Sequence, residues 1–161
     1  MTSSLWNHID TFLAKIAAQL NYQREDVRLF RDKHLVTPNH ADEYLKPDVG
    51  FGCKLNKYSV RYQGDDLITS WGLYEFPSCC AFCVSTQAYV APKFRGNGIN
   101  TLASSLRQSI AANAGYSAII CTDVESNQAE RHTLKTAGFS DIYTIDNKRT
   151  GNTVIISVKK L

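Results

Sequence analysis

The sequence predicts an α/β chain of the α+β kind, a mixed and strongly twisted β-sheet with helices on both faces. Three observations carry that expectation. Between Cys53 and Val90, strand-like segments follow one another across tight turns, as in an antiparallel meander. The last of them runs through a glycine-bearing loop into an amphipathic helix and then a short apolar run, a βαβ unit with a right-handed crossover. The 161 residues, 43% hydrophobic and 20% charged, suit one domain with its own core and exclude a disordered chain.

Element by element, apolar residues at Leu5, Ile9, Phe12, Leu13, Ile16 and Leu20 give helical spacing over Ser4 to Leu20, with Ser3 or Ser4 as N-cap. Arg24 to Val49 is ambiguous between strand and short helix, and Pro38 and Pro47 break it. Cys53 to Gln63 reads as a strand, Gln63-Gly64-Asp65 as a turn and Leu67 to Phe76 as the returning strand. After a turn at Pro77-Ser78, Cys79 to Val90 reads as a third strand. A helix follows with Ile99, Leu102, Ala103, Leu106 and Ile110 on one face and Gly115 as its stop. Tyr116 to Cys121 is apolar without alternation, which suits a parallel strand covered on both faces. A helix from Asn127 to Ala137 ends at Gly138, and Phe139 to Asp146 and Thr153 to Lys159 form a closing strand pair turned at Arg149 to Asn152. The whole is one domain over 1–161, with 1–52 as an N-terminal region and 53–161 bearing the informative motifs.

Eighteen Lys and Arg against fifteen Asp and Glu leave a net charge of +3, too small to argue nucleic-acid binding alone. Lys93, Arg95, Lys148, Arg149, Lys159 and Lys160 would have to form a patch for that partner; the ordinary fate of such residues is a solvated face. No apolar run approaches the roughly 20 residues of a membrane helix, so no membrane partner is expected. Met1 to Asp10 lacks a basic region followed by an apolar stretch, and the cysteine count of five is odd, so reduced thiols in a cytoplasmic setting are expected. Cys80 and Cys83 have metal or redox spacing, but no second pair follows, and residues three apart in a strand face opposite ways; no metal is expected. Cys121 reads as a small core residue, with no histidine placed to activate it. Trp71, Tyr74, Phe76 and Phe82 read as sheet packing.

The segment Phe94-Arg95-Gly96-Asn97-Gly98-Ile99 carries the most chemistry. It joins a strand to a helix, where free backbone N–H groups and the helix dipole favour an anion, and glycine lets that anion come close. Arg95 adds a fixed positive charge. A diphosphate would be well held; the plain alternative is a glycine turn that only starts a helix. No Gly-Lys-Ser/Thr follows, which excludes a Walker loop. A missing third glycine and an antiparallel sheet before it exclude a dinucleotide fingerprint.

The run Val90-Ala91-Pro92-Lys93-Phe94-Arg95-Gly96-Asn97-Gly98-Ile99 resembles motif A of the GCN5-related N-acetyltransferases (GNATs), Arg/Gln-x-x-Gly-x-Gly/Ala after a strand ending in Val-x-Pro-x-Tyr/Phe. Arg95 and Gly98 match; Asn100 stands where Gly or Ala is usual. The spacing from Asn127 to Gly138-Phe139 is similar to that around the family's fourth helix, and the resemblance covers Leu67 to Leu161. It implies a sheet whose fourth and fifth strands are parallel and splay apart, with acetyl-CoA entering the gap as co-substrate. Its pantetheine would pair with the open strand edge at Tyr89, Val90 and Ala91, where a backbone N–H would hold the developing oxyanion. Its pyrophosphate would rest on the amides of Arg95 to Asn100. Asn127 would face the cofactor, or serve only as an N-cap in a capping box with Glu130.

The implied reaction is attack of a primary amine on the thioester. Positions where many members carry a Glu or Asp base read Ser85, Thr86 and Gln87, and the position of the usual Tyr acid reads Leu134. Substitutes are Tyr89 as acid and Asp123 or Glu125 as base; His132 is a further candidate by residue type but reads as a solvated helix residue. The acceptor would be set by Arg24 to Lys54 and Asp146 to Asn152. The alternatives to a small-amine acetyltransferase are a modifier of protein lysines or nucleic-acid amino groups, and a protein that binds acyl-CoA without turnover.

Overall fold

The chain is described here by a computed structural model over residues 4–41 and 54–161. Helix α1 (Ser4–Leu20) forms where its spacing predicts and buries Leu5, Ile9, Phe12, Leu13 and Ile16 along one stripe. The ambiguous segment after it holds a hairpin of β1 (Val27–Arg31) and the short β2 (His34–Leu35). Its turn uses Asp32 in the left-handed region rather than glycine, and its strands are too short to show a period. The rest of the chain forms β3 (Asn56–Tyr62), β4 (Asp66–Glu75), β5 (Phe82–Val90), α2 (Ile99–Asn113), β6 (Ala118–Val124), α3 (Gln128–Thr136), β7 (Ser140–Asp146) and β8 (Thr153–Lys160). One sheet contains all eight strands in the order β2-β1-β3-β4-β5-β6-β8-β7; only the β5–β6 pair is parallel.

Some expected boundaries move. Cys53, given as a strand start, lies outside the described residues, and β3 begins at Asn56. Cys79 to Ala81 join the turn rather than β5, because Ser78 takes φ 61° and the Phe82 N–H donates to the Cys79 carbonyl. In the other direction, β6 continues past Cys121 to Val124, held by its ladder with β8, so Asp123 lies within the strand rather than beyond it. Phe76 and Phe82 are not core residues; they meet edge to face at the surface, ring centroids 6.4 Å apart.

The core forms where the helices meet the sheet. Trp71 and Tyr58 stack on neighbouring strands, and Phe12 of α1 meets Trp71 edge-on at 6.2 Å. Arg107 of α2 reaches Ser85, and Arg131 of α3 reaches Ser157. Trp71, Ser85 and Ser157 share one face by strand alternation and cross-strand pairing. Among the described residues, therefore, α1, α2 and α3 all lie on that one face of the sheet, where helices on both faces were expected. No described helix is long and apolar enough to cross a membrane.

A β-bulge decides the shape of the sheet's centre. Ser70 pairs with Tyr89 and Gly72 with Thr86, so Trp71 alone opposes both Gln87 and Ala88. Gln87 sits at φ 54°, a left-handed conformation that a non-glycine residue adopts at a cost of roughly 1–2 kcal/mol. The extra residue bends β5. Parallel pairing with β6 holds from Phe82–Ala118 to Ser85–Cys121 and then stops. Past that point β5 stays with β4, and β6 stays with β8. The sheet thus opens into two leaves at its middle.

The bulge makes a stability prediction. Gln87→Val adds a β-branched side chain in the left-handed region and is expected to lower the unfolding free energy by about 1–2 kcal/mol. Gln87→Gly relieves the strain and is expected to leave stability equal or slightly higher, despite its added chain entropy. Urea unfolding midpoints of the two variants check this.

Candidate active site

The turn after β5 is built to leave amides free. Pro92–Phe94 makes a short 3-10 turn anchored by the buried Phe94 ring. Gly96 and Gly98 take φ 80° and 70°, and a Cβ at either would meet nothing within 4 Å. Their backbone angle, not crowding, calls for glycine. The Asn97 side chain braces the turn by donating to the Phe94 and Arg95 carbonyls. Gly98 then begins α2 with no side-chain cap and no acidic residue in the first turn. The first N–H groups of a 15-residue helix are left available beside the turn, a geometry that suits an anion.

A cleft of about 470 Å³ runs between this turn and α3, with Tyr89, Val90, Arg95, Gly98, Asn100 and Asn127 among its walls. A second hollow of about 250 Å³ lies in the opening between β5 and β6, where Ser85, Thr86, Arg107 and Asp123 face it. The two adjoin, sharing Ala88, Asn127 and Glu130.

The expected cofactor residues distribute as follows. Gly96 and Ile99 also line the outer cleft, while Asn97 serves the turn instead. Of the strand-edge residues, Ala91 donates its N–H to Ile68, and the Tyr89 carbonyl accepts from the Thr69 hydroxyl, so both turn toward β4. Val90, paired with Thr69, presents its backbone to the opening. Its carbonyl accepts from Arg95 Nε at 3.0 Å, and the Arg95 guanidinium lies 5.8 Å from the Tyr89 ring centre. Asn127 caps α3, accepting the Glu130 N–H at 3.3 Å. The expected capping box closes on one side only, because the Glu130 carboxylate accepts from Asn100 Nδ2 at 2.6 Å.

The candidate acid–base groups separate. Asp123 is buried, its side chain 3% exposed, and lines the inner hollow. Its Oδ1 lies 3.4 Å from Arg131 Nη1, while its Oδ2 is buried with no hydrogen-bond partner among the described residues. Burial raises its pKa, and Arg131 opposes the rise. Glu125 is exposed in the turn before α3 and lines neither hollow; Tyr89 borders the outer one. His132 is exposed, and Leu134 is buried in the core. Cys83 and Cys121 are buried, with thiols pushed up to about 12 and about 11 by desolvation. That suits core residues rather than nucleophiles. No cluster of metal-ligating side chains occurs among the described residues.

The basic residues do not form one patch. Arg95 follows the C-terminal end of β5, whereas Lys160 pairs with Ala118 at the start of the parallel strand β6, at the other end of the sheet. Lys93 pairs with Asp66, and Lys159 donates to the Ala137 carbonyl.

Arg107 went unnoticed in the sequence. Arg107 lies inside the apolar stripe of α2, between Ala103 and Ile110, and is 3% exposed. A charge within a buried stripe is the signal that could have found it. Glu130 was read only as a capping residue.

Neither a family model nor a curated protein matches the sequence. Solved structures do. A GNAT family acetyltransferase from Elizabethkingia anophelis, with acetyl-CoA bound, is similar at a TM-score of 0.64 and 16% identity, over 84% of this chain and 99% of its own. The chain has the GNAT acetyltransferase fold. The spermidine/spermine N-acetyltransferase SpeG from Vibrio cholerae is similar at 0.61 and 13% identity, over 84% of this chain and 93% of its own. The corresponding values for an IAA acetyltransferase from Bacillus cereus are 0.60 and 15%, over 84% and 99%. The GNAT likeness expected from the motifs thus extends, as a fold, over 84% of the chain.

In this GNAT fold, Arg131 ties Asp123 to Asp141 and Ser157. Arg131 and Ser157 hold the Asp141 pKa down, so Asp141 stabilises the fold above its unfolded pKa and loses that contribution as pH falls through the lower folded value. Asp123 has the opposite sign: its raised pKa means stability is lost as pH rises through the folded value. Arg131→Gln removes the cation from both carboxylates. It is expected to lower stability near pH 7 by up to about 3 kcal/mol. The deficit shrinks as pH falls, first as Asp123 protonates and then, below about 4, as Asp141 does. Melting temperatures of both proteins across that range check it.

Proposed function

We propose that the chain is an N-acetyltransferase that moves the acetyl group of acetyl-CoA to a primary amine by direct attack in a ternary complex. The observation that carries this reading is the parting of β5 and β6 after Ser85 and Cys121, next to the uncapped start of α2. The motif, the turn and the opening meet in one place, as the mechanism requires.

The pyrophosphate is assigned to the free amides at the start of α2, with Arg95 adding charge. The pantetheine is assigned to the open edge of β5, where the Val90 N–H faces the gap. A backbone N–H on that edge stabilises the oxyanion that forms as the amine attacks. The C–N bond forms, the C–S bond breaks with its electron pair going to sulfur, and the thiolate takes a proton from water. The amine's proton goes to Asp123, which lines the inner hollow where Glu125 does not. Burial raises its pKa, which makes it a stronger base than a free carboxylate. Tyr89 is assigned to the wall of the cofactor cleft, and Glu125 takes no part.

Calorimetric titration with acetyl-CoA is expected to give micromolar binding that Arg95→Glu weakens at least tenfold, because it sets a like charge against the pyrophosphate. Folded protein that binds neither acetyl-CoA nor CoA refutes the reading. Asp123→Asn is expected to lower kcat by about 10²–10⁴ across an amine panel while leaving acetyl-CoA affinity unchanged. Binding without transfer to any amine would favour the non-catalytic acyl-CoA binder instead.

A further inference from the structure

The inner hollow contains a buried cation whose direct partners are neutral. Arg107 is 3% exposed and lines the closed end of the opening, where β5 and β6 part. Its Nη1 donates to Ser85 Oγ at 3.2 Å and its Nη2 to Asn100 Oδ1 at 3.3 Å. Among the described residues no carboxylate forms an ion pair with it. Glu130 acts on it from the far side of Asn100, whose amide nitrogen it holds. Asp123, on the same hollow, is engaged by Arg131. Desolvation accordingly lowers the Arg107 pKa. A buried guanidinium has five N–H donors, and two here are used, both on uncharged oxygens. A charge held in this way is costly unless an anion meets it.

Resting on the acyl-CoA reading above, we propose that Arg107 is an anion receptor at the end of the acyl pocket. The site takes CoA thioesters of short dicarboxylic acids, of the malonyl, succinyl or glutaryl class, in preference to acetyl-CoA. The thioester lies toward the mouth of the opening beside Asp123, and the distal carboxylate reaches the Arg107 guanidinium. The transfer step is unchanged: the amine nitrogen bonds to the thioester carbon, the C–S bond breaks with its electrons on sulfur, Asp123 receives the amine proton, and the distal carboxylate does not react. A guanidinium is well matched to that group, since its planar donors pair with both carboxylate oxygens.

The test compares succinyl-CoA with butyryl-CoA, a neutral chain of the same length, and uses free CoA as reference. In the wild type, succinyl-CoA is expected to bind at least tenfold more tightly than butyryl-CoA and to be the better donor in kcat/KM. Arg107→Gln is expected to bring the two within about twofold of each other, each measured against free CoA on the same variant; Arg107→Lys should retain part of the preference. A wild-type ratio near one, with CoA bound normally, overturns the assignment and leaves the acyl-CoA reading intact. A ratio that survives Arg107→Gln overturns it too. Failure of folded wild type to bind CoA at all refutes the parent reading, and this one with it. The wild-type ratio needs no variant, so it decides the matter even where Arg107→Gln does not fold.

Discussion

The bulge at Gln87 and Ala88 is the constraint on which the centre of the molecule depends. A continuous sheet would carry the β5–β6 ladder past Ser85 and Cys121, and the hollow beside Asp123 would be filled by backbone. One extra residue in β5 prevents this. Neither half of the sheet loses its outer ladder, because β4 follows β5 and β8 follows β6 beyond the parting. The cost is local, a strained Gln87 and backbone groups left without sheet partners. The edge that results is polar and enclosed, the surroundings a ligand with its own amide groups can complete.

Two arginines reach the sheet from the helices, Arg107 buried at the opening and Arg131 partly exposed beside it, and they are balanced differently. Arg131 faces two carboxylates, one buried and one half-exposed, and a serine hydroxyl. It therefore secures α3 to β6, β7 and β8. Arg107 faces a serine and an asparagine, with its nearest negative charge one residue removed. The difference follows from position. Arg131 sits over the closed β6–β8 ladder, where pairing fixes its partners, and Arg107 sits at the fork, where the strands leave room.

Much of this frame was legible. α1 formed over the expected residues because its apolar spacing is regular and nothing interrupts it. The βαβ unit and the glycine turn were legible because Gly96, Gly98 and Gly115 mark positive-φ positions that the chain uses. The β1–β2 hairpin was not, since Asp32 turns it without a glycine signal and β2 has two residues. The bulge was hidden for the same reason: a glutamine at positive φ leaves no trace in composition or period. Asp123 was found but misplaced, because an apolar run was taken to end at the first polar residue, whereas pairing with β8 carries the strand on through it. Arg107 broke the pattern of its own helix, and such a breach marks a site more reliably than the pattern marks a core.

Asn100 joins the two ends of the site. The family motif has Gly or Ala at this position; here the amide oxygen accepts from Arg107 and the amide nitrogen donates to Glu130. An alanine would leave a buried guanidinium nitrogen and a carboxylate oxygen each short of a partner, at a cost of about 1–3 kcal/mol for each buried group. The departure from the motif, the arginine in the apolar stripe and the half-closed capping box are therefore one constellation rather than three irregularities. Its members also stand in sequence on the path between the two hollows. Asn100 belongs to the first turn of α2, where an anion would rest, and Arg107 lies two turns further, at the fork of the strands. Charge arriving at one end acts on the same hydrogen-bonded chain as charge arriving at the other.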